Sequence, residues 1–296
     1  MRTLIISLLL TLMATCPAFA GGTITIAHAD WSSSIASATL LQAVLQAKTG
    51  RTVNLVQTDA EGMWRMVAEG KADTMLSAWL PDTHDTYFAK YHNELKDLGP
   101  NLEGTRIGIV VPNMTEGRYT AGTGLRNRPY LTTRSIPELA DNAAKYKHRI
   151  VGIEPGAGIM LKTQQAIKAY GLDKTFRLVP GDEQTMVDEL ADALGHQRWV
   201  AVTGWMPHWC FAQWDLKFLD DPKKIFGQTG HINTMVRKGL EKDDPEAYAV
   251  LDKFHWSLDE INLLMLWMQT DGGRFPYEKA LRWMRTHPKR VQSWLP

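Results

Sequence analysis

Cysteine is nearly missing from this chain. Its 296 residues hold two, Cys16 and Cys210. Cys16 lies in a leader that the sequence marks for removal, so Cys210 stands alone and no internal disulfide can form. The fold must rest on its core. A lone thiol near His208 raises the thought of a nucleophile; between Trp209 and Phe211 it reads as a small buried hydrophobe. Charge of one sign is missing too: 33 Lys+Arg face 32 Asp+Glu. A nucleic-acid partner normally needs a basic face, and anionic lipid needs a basic segment, so both are excluded as partners. Long apolar runs are confined to Leu4–Ala14, too short for the roughly 20 residues of a membrane span. There is no Pro/Gly/Ser linker and no internal repeat. G-x-S-x-G, H-E-x-x-H, the Walker loop and paired C-x-x-C are all absent, which removes the common signatures of hydrolases, nucleotide enzymes and zinc sites. The nine His are scattered without metal spacing, and no metal or cofactor is expected.

Arg2, the apolar run and Ala18-Phe19-Ala20 form a secretory signal peptide over residues 1–20, with cleavage expected after Ala20. The mature chain is then exported, here to the periplasm, with no membrane insertion of its own. Apolar residues make up 44% and charged residues 22%, the balance of an ordinary globular protein. The length suits two domains or lobes.

Thr23–Ala27, Thr52–Gln57 and Asp73–Trp79 read as strands, with helices over Ile35–Lys48 and Gly62–Glu69 between them. Ser32–Ser34 offer N-caps and Gly50 a C-cap. This β-α-β-α-β order predicts a parallel sheet with covering helices. Further strands are expected at Arg106–Val111, Arg149–Ile153, Thr175–Val179 and Trp199–Thr203. Helices are expected at Ser135–Asn142, Gly156–Tyr170 and Gln184–Ala193, and over most of Glu246–Trp294. Asn113–Arg134 is irregular and polar. Without a flexible linker, the lobes should be joined by strands that cross between them, at Val110–Pro112 and Val202–Gly204. The expected fold is α/β, two-lobed, with lobe 1 formed by 21–112 and completed by 206–296, and lobe 2 formed by 113–205. Such a hinge closes around a small ligand.

Tryptophan is what the chain has in excess: 11, against 8 Tyr and 8 Phe. Trp31, Trp79 and Trp205 each sit at the carboxyl end of a strand, where an α/β lobe faces its ligand crevice. Three indole planes can surround a quaternary ammonium, which has no hydrogen-bond donor. Any one of them alone could equally be a core side chain. Gly152-Ile-Glu-Pro-Gly-Ala-Gly-Ile-Met160 is a strand, a glycine turn and a helix start. The free amides of Gly158 and Ile159 could hold a carboxylate, or the segment could be an ordinary β–α turn. His84 could add a donor to that carboxylate, or be a solvated loop histidine. Trp64, Trp199, Trp209, Trp214, Trp256, Trp267, Trp283 and Trp294 read as structural.

Five segments carry a resemblance: Asp30–Ser37, Leu76–His84, Gly108–Pro112, Gly152–Ile159 and Thr203–Trp209. Together they resemble the glycine betaine substrate-binding proteins of osmoprotectant ABC transporters, the OpuAC-like family. The likeness runs over nearly the whole mature chain. It implies a type II-like periplasmic-binding-protein fold whose lobes close like a flytrap. It implies a cage of Trp31, Trp79 and Trp205, and a carboxylate site of the Gly158 and Ile159 amides with His84. It also implies no enzymatic activity and a role in delivering a betaine to an ABC permease, a task that a monomer suits. Relatives that bind choline carry an acid shortly after the first cage Trp; Ser32–Ser34 stand there here, which favours ligands with a carboxylate. A choline- or carnitine-binding member of the same family is the alternative. Two rivals outside it are an exported enzyme using His84 or His208 as base, and a sensor with the same fold. The cage and the carboxylate site are expected on opposite lobes.

Overall fold

The computed structural model describes residues 21–113 and 131–296. The signal peptide of residues 1–20, its cleavage after Ala20 and most of the irregular stretch expected at 113–134 lie outside the described residues.

Two β-α turns begin the chain. Strand β1 (Gly21–His28) leads into α1 (Ser32–Thr49), then β2 (Arg51–Gln57), α2 (Ala60–Ala68) and β3 (Thr74–Leu80). Gly50 ends α1 in the left-handed region at φ 67°, where glycine carries no Cβ penalty. The N-cap of α1 is Trp31, without a side-chain cap. The serines expected there form the first turn instead, and the Ser34 hydroxyl accepts the Ala29 amide at 3.1 Å. Every residue of β3 is buried, because the strand is covered on both faces.

The sheet is mixed rather than parallel. β1 pairs in parallel with β2 and β3, and β3 pairs antiparallel with β9 (Gly230–Arg237). After α3 (Asp85–Tyr91), the 18-residue strand β4 (Leu95–Pro112) joins the two halves of the molecule. Its first part, to Thr105, pairs with β9; from Arg106 it pairs with β7 (Val202–Met206). The second half adds β5 (Arg149–Val151), α4 (Gly158–Ala169), β6 (Arg177–Val179) and α5 (Glu183–Gly195), with β5 parallel to both β6 and β7. Leu216–Phe218 returns as β8, still paired to the end of β4. The expected crossings at Val110–Pro112 and Val202–Gly204 therefore lie within the second half. Pairing switches at Thr105/Arg106 on the way out and between Phe218 and Gly230 on the way back. The segment expected as a helix at 135–142 is a 3-10 turn over Pro137–Asn142.

The C-terminal helices pack against α1. Their aromatics explain much of the Trp excess: Trp283 stacks on Trp294 at 5.8 Å and 2°, with Phe254 and Trp256 beside them. Trp64, Trp256, Trp283 and Trp294 are buried, as expected of structural residues.

Candidate functional site

Where the two halves meet, a cleft of about 290 Å³ is lined by Trp31, Trp79, Thr83, His84, Ile107, Ile153, Ala157, Gly158, Ile159 and Trp205. All six residues singled out in the sequence are among them. None of the eight other tryptophans lines it.

Each wall follows from local sequence. Trp31 is set by the turn from β1 to α1, and Trp79 by β3 near its carboxyl end. Both belong to the first half. Trp205 comes from β7 in the second. The three are 5%, 4% and 4% exposed, so the indoles form walls and not surface decoration. Beside Trp205, a Cβ on Gly204 would stand 2.4 Å from Val110 Cγ2; only glycine lets β7 lie this close to β4.

The loop after β5 ends at the N-terminus of α4. Ala157 is its cap residue and offers no side-chain cap. The first helical amides, Gly158 and Ile159, have no partner among the described residues, as expected of the orphan donors at a helix start. They also sit at the positive end of the helix dipole. Gly158 is set tightly against the opposite wall: a Cβ there would lie 2.1 Å from the Thr83 carbonyl oxygen.

His84 is not a solvated loop residue. It is 1% exposed. Its Nδ1 accepts the Trp79 amide at 3.2 Å and the Trp64 indole N–H at 3.2 Å. Nε2 is thus left as the donor nitrogen of a ring that lines the cleft. Burial pushes the imidazole down to about 3, against a weaker upward pull from Asp85.

Two carboxylates stand behind the cleft and escaped the sequence reading. Trp31 Nε1 donates to Glu154 Oε1 at 2.7 Å, from the β1–α1 turn to the loop before α4. Burial raises the Glu154 carboxyl, opposed by its own backbone N–H and by Trp31. Glu183, at the start of α5, accepts the Ser32 amide at 2.9 Å and the Ser32 hydroxyl, and lies 3.2 Å from His208 Nε2. Burial alone would raise its carboxyl too, but His208 and Ser32 hold it below the usual range. His208 does not line the cleft, and its Nδ1 accepts the Cys210 amide at 3.1 Å. Ser32, the first of the three serines after Trp31, is spent on Glu183. The signal for Glu154 was in the glycine motif itself; nothing local pointed to Glu183 or to Trp64.

The expected division of labour is not what the structure shows. Trp31, Trp79 and His84 share one wall; Trp205, Gly158 and Ile159 share the other. Aromatic faces and anion donors are both divided between the halves. The arrangement offers π faces to a cation and fixed N–H donors to an anion. Its polar side chains are Thr83 and His84.

A family model for the substrate-binding domain of ABC-type glycine betaine transport systems matches residues 22–286. A glycine betaine/carnitine transport binding protein of Listeria monocytogenes is 41% identical over 175 residues, which is 59% of this chain and 56% of that protein; the match thus spans little more than half of that curated relative. A lactococcal glycine betaine-binding protein, solved closed with glycine betaine, superposes with a TM-score of 0.82 at 38% identity, covering 93% of this chain and all of the other. A glycine betaine/L-proline-binding protein from Borrelia burgdorferi gives 0.84 at 34% identity, covering 93% and 97%.

Proposed function

This chain belongs to the family of substrate-binding domains of ABC-type glycine betaine transport systems, and on that premise we propose that it captures glycine betaine or a close relative and hands it to an ABC permease. One observation carries the reading: Trp31, Trp79 and Trp205 share a cleft with Gly158, Ile159 and His84, and among the described residues no carboxylate lines it. A trimethylammonium group meets only π faces, where each desolvated contact is worth about 2 kcal/mol. A carboxylate meets three N–H donors. In this reading the lobes part near Thr105 and between Phe218 and Gly230, and close on a ligand that touches both walls.

We take the protein to be a binding subunit rather than an enzyme. The support is chemical: an imidazole near 3 with Nδ1 already occupied is no base at neutral pH. Among the described residues no helix is long and apolar enough to cross a membrane. Periplasmic location after cleavage behind Ala20 completes the proposal on the sequence signals alone, and a monomer suits the task.

Calorimetric titration with glycine betaine, and with choline in parallel, tests this. Micromolar betaine binding with weaker choline binding is the expected result. Tight choline binding without betaine would overturn the carboxylate site, and binding of neither would overturn the ligand class.

A further inference from the structure

We propose that Trp64, a core side chain outside the cleft, is a positioning residue: with the Trp79 amide it locks His84 in the Nε2–H tautomer, so that the ring can only donate toward the cleft. The role given to that donor, orienting a ligand carboxylate, rests on the function proposed above; the lock itself does not.

A neutral imidazole has one donor and one acceptor nitrogen, and nothing intrinsic decides firmly which is which. Here two N–H groups from different elements converge on Nδ1, the indole of Trp64 in α2 and the backbone of Trp79 in β3, both at 3.2 Å. A proton on Nδ1 would face both of them head on. The Nδ1–H tautomer and the imidazolium are therefore both disfavoured, and burial, as a separate effect, depresses the ring to about 3. Trp64 is fully buried and His84 nearly so, so water cannot replace a lost partner at little cost. The indole meets the imidazole edge-on at 6.0 Å and 74° and packs on Phe88 at 6.1 Å, which fixes the ring plane as well as the proton. The consequence concerns specificity. With the opposite tautomer, Nε2 would present a lone pair to the cleft and repel a carboxylate while leaving the indole faces unchanged. Trp64 thus acts on the anionic end of a ligand and not on its cationic end.

The test uses the purified protein. Long-range proton–nitrogen NMR reads the tautomer of His84 directly, with the signal assigned by its loss in His84→Asn. Wild type should show an unprotonated Nδ1 and a protonated Nε2 without ligand, unchanged between pH 5.5 and 8. Trp64→Phe keeps a buried ring and removes the donor; it should give mixed tautomers or a ring that titrates. In calorimetry the same variant should bind glycine betaine about fivefold more weakly, the scale of one hydrogen bond, and tetramethylammonium within about twofold. An Nδ1–H signal in wild type overturns the proposal. So does a Trp64→Phe protein with unaltered tautomer and betaine affinity, or one that loses both ligands alike, which would mark a packing defect of the cage. If wild type shows the tautomer but binds no betaine, the lock stands and the ligand reading falls.

Discussion

Gly158→Ala should separate binding from stability. Gly158 is the first residue of α4, outside the left-handed region, so alanine can adopt its backbone. By propensity alone alanine is better there by roughly 0.5–1 kcal/mol. The obstacle lies across the cleft: the new Cβ would stand 2.1 Å from the Thr83 carbonyl oxygen and 2.7 Å from Thr83 Cγ2. The first of these atoms is backbone, carried on the β3–α3 turn, and cannot rotate away. Ordinary contact starts at 3.4 Å, so the walls must part by about 1 Å. A hydrogen bond of about 2.9 Å stretched by that much is no longer one.

The cost then falls on the ligand. Two amide–carboxylate bonds, each worth about 1.5 kcal/mol at the low end, come to about 3 kcal/mol, or roughly a hundredfold in Kd. The free protein can relieve the clash by opening, so its melting temperature should hold or rise. Calorimetry for glycine betaine and thermal melts without ligand make the comparison. A Kd within about threefold of wild type would refute the reasoning, since the amides would then not depend on this close approach. A large fall in melting temperature would refute it differently, by showing that the Thr83 contact belongs to the fold and not to closure.

Trp205→Ala removes one wall of the cage and should cost more than about 1 kcal/mol of betaine binding, at least fivefold in Kd by calorimetry; unchanged affinity removes Trp205 from the cage. Glu183→Ala strands the Ser32 amide and the His208 ring in a buried site, and should lower unfolding free energy by about 3 kcal/mol in a denaturant titration. Because His84 is depressed to about 3, betaine affinity should stay flat as pH falls from 8 through 6.5. The unfolded state takes up this proton first, so the His84 contribution to stability is whole above 6.5 and fades from there toward 3. An inflection of affinity near 6.5 that disappears in His84→Asn would contradict this burial.

The parts of the molecule legible in the sequence are those whose local chemistry and tertiary setting agree. β3 is a continuous buried run between two partners, and Asp73–Trp79 reads as one, within a residue of the observed Thr74–Leu80. The glycine turn before α4 announces a close approach. The first half of β4 carries no strand signal, because Gly99, Pro100 and Gly104 all break strands. Shifts of register between Asp97 and Thr105 take up those residues, and Gly99 and Gly104 adopt φ of 87° and 83°. β9 hides for another reason. Its buried Asn233 and Thr234 look like surface until Asp97 and Asn101 of β4 are seen to bond them, at 2.8 and 3.0 Å. The six cleft residues are legible as types, the three tryptophans by their strand-end positions and Gly158 and Ile159 by the glycine turn at a helix start. Their division between the walls was not, since it depends on which half owns β7, and that is settled by its pairing with β4.

That division bears on how a ligand can drive closure. Several polar contacts of the protein's own cross the cleft: Trp31 to Glu154, Ser32 to Glu183, the Tyr87 hydroxyl to the Gly156 carbonyl at 2.6 Å, and Lys162 to Asp85 at 3.0 Å. The last is half exposed and worth little; the contacts of Glu154 and Glu183 are better shielded. They favour the closed form for any occupant, and so discriminate nothing. A ligand shifts the balance only by what it gains on closing. Were the cage on one wall and the carboxylate donors on the other, a cation could settle fully on the open cage and gain nothing further. In the proposed function, with Trp31, Trp79 and His84 facing Trp205, Gly158 and Ile159, each end of a zwitterion completes its contacts only when the walls meet. A quaternary ammonium without a carboxylate recovers the aromatic part of that gain, and a simple carboxylate the amide part. Closure is therefore most favourable for a molecule that carries both charges.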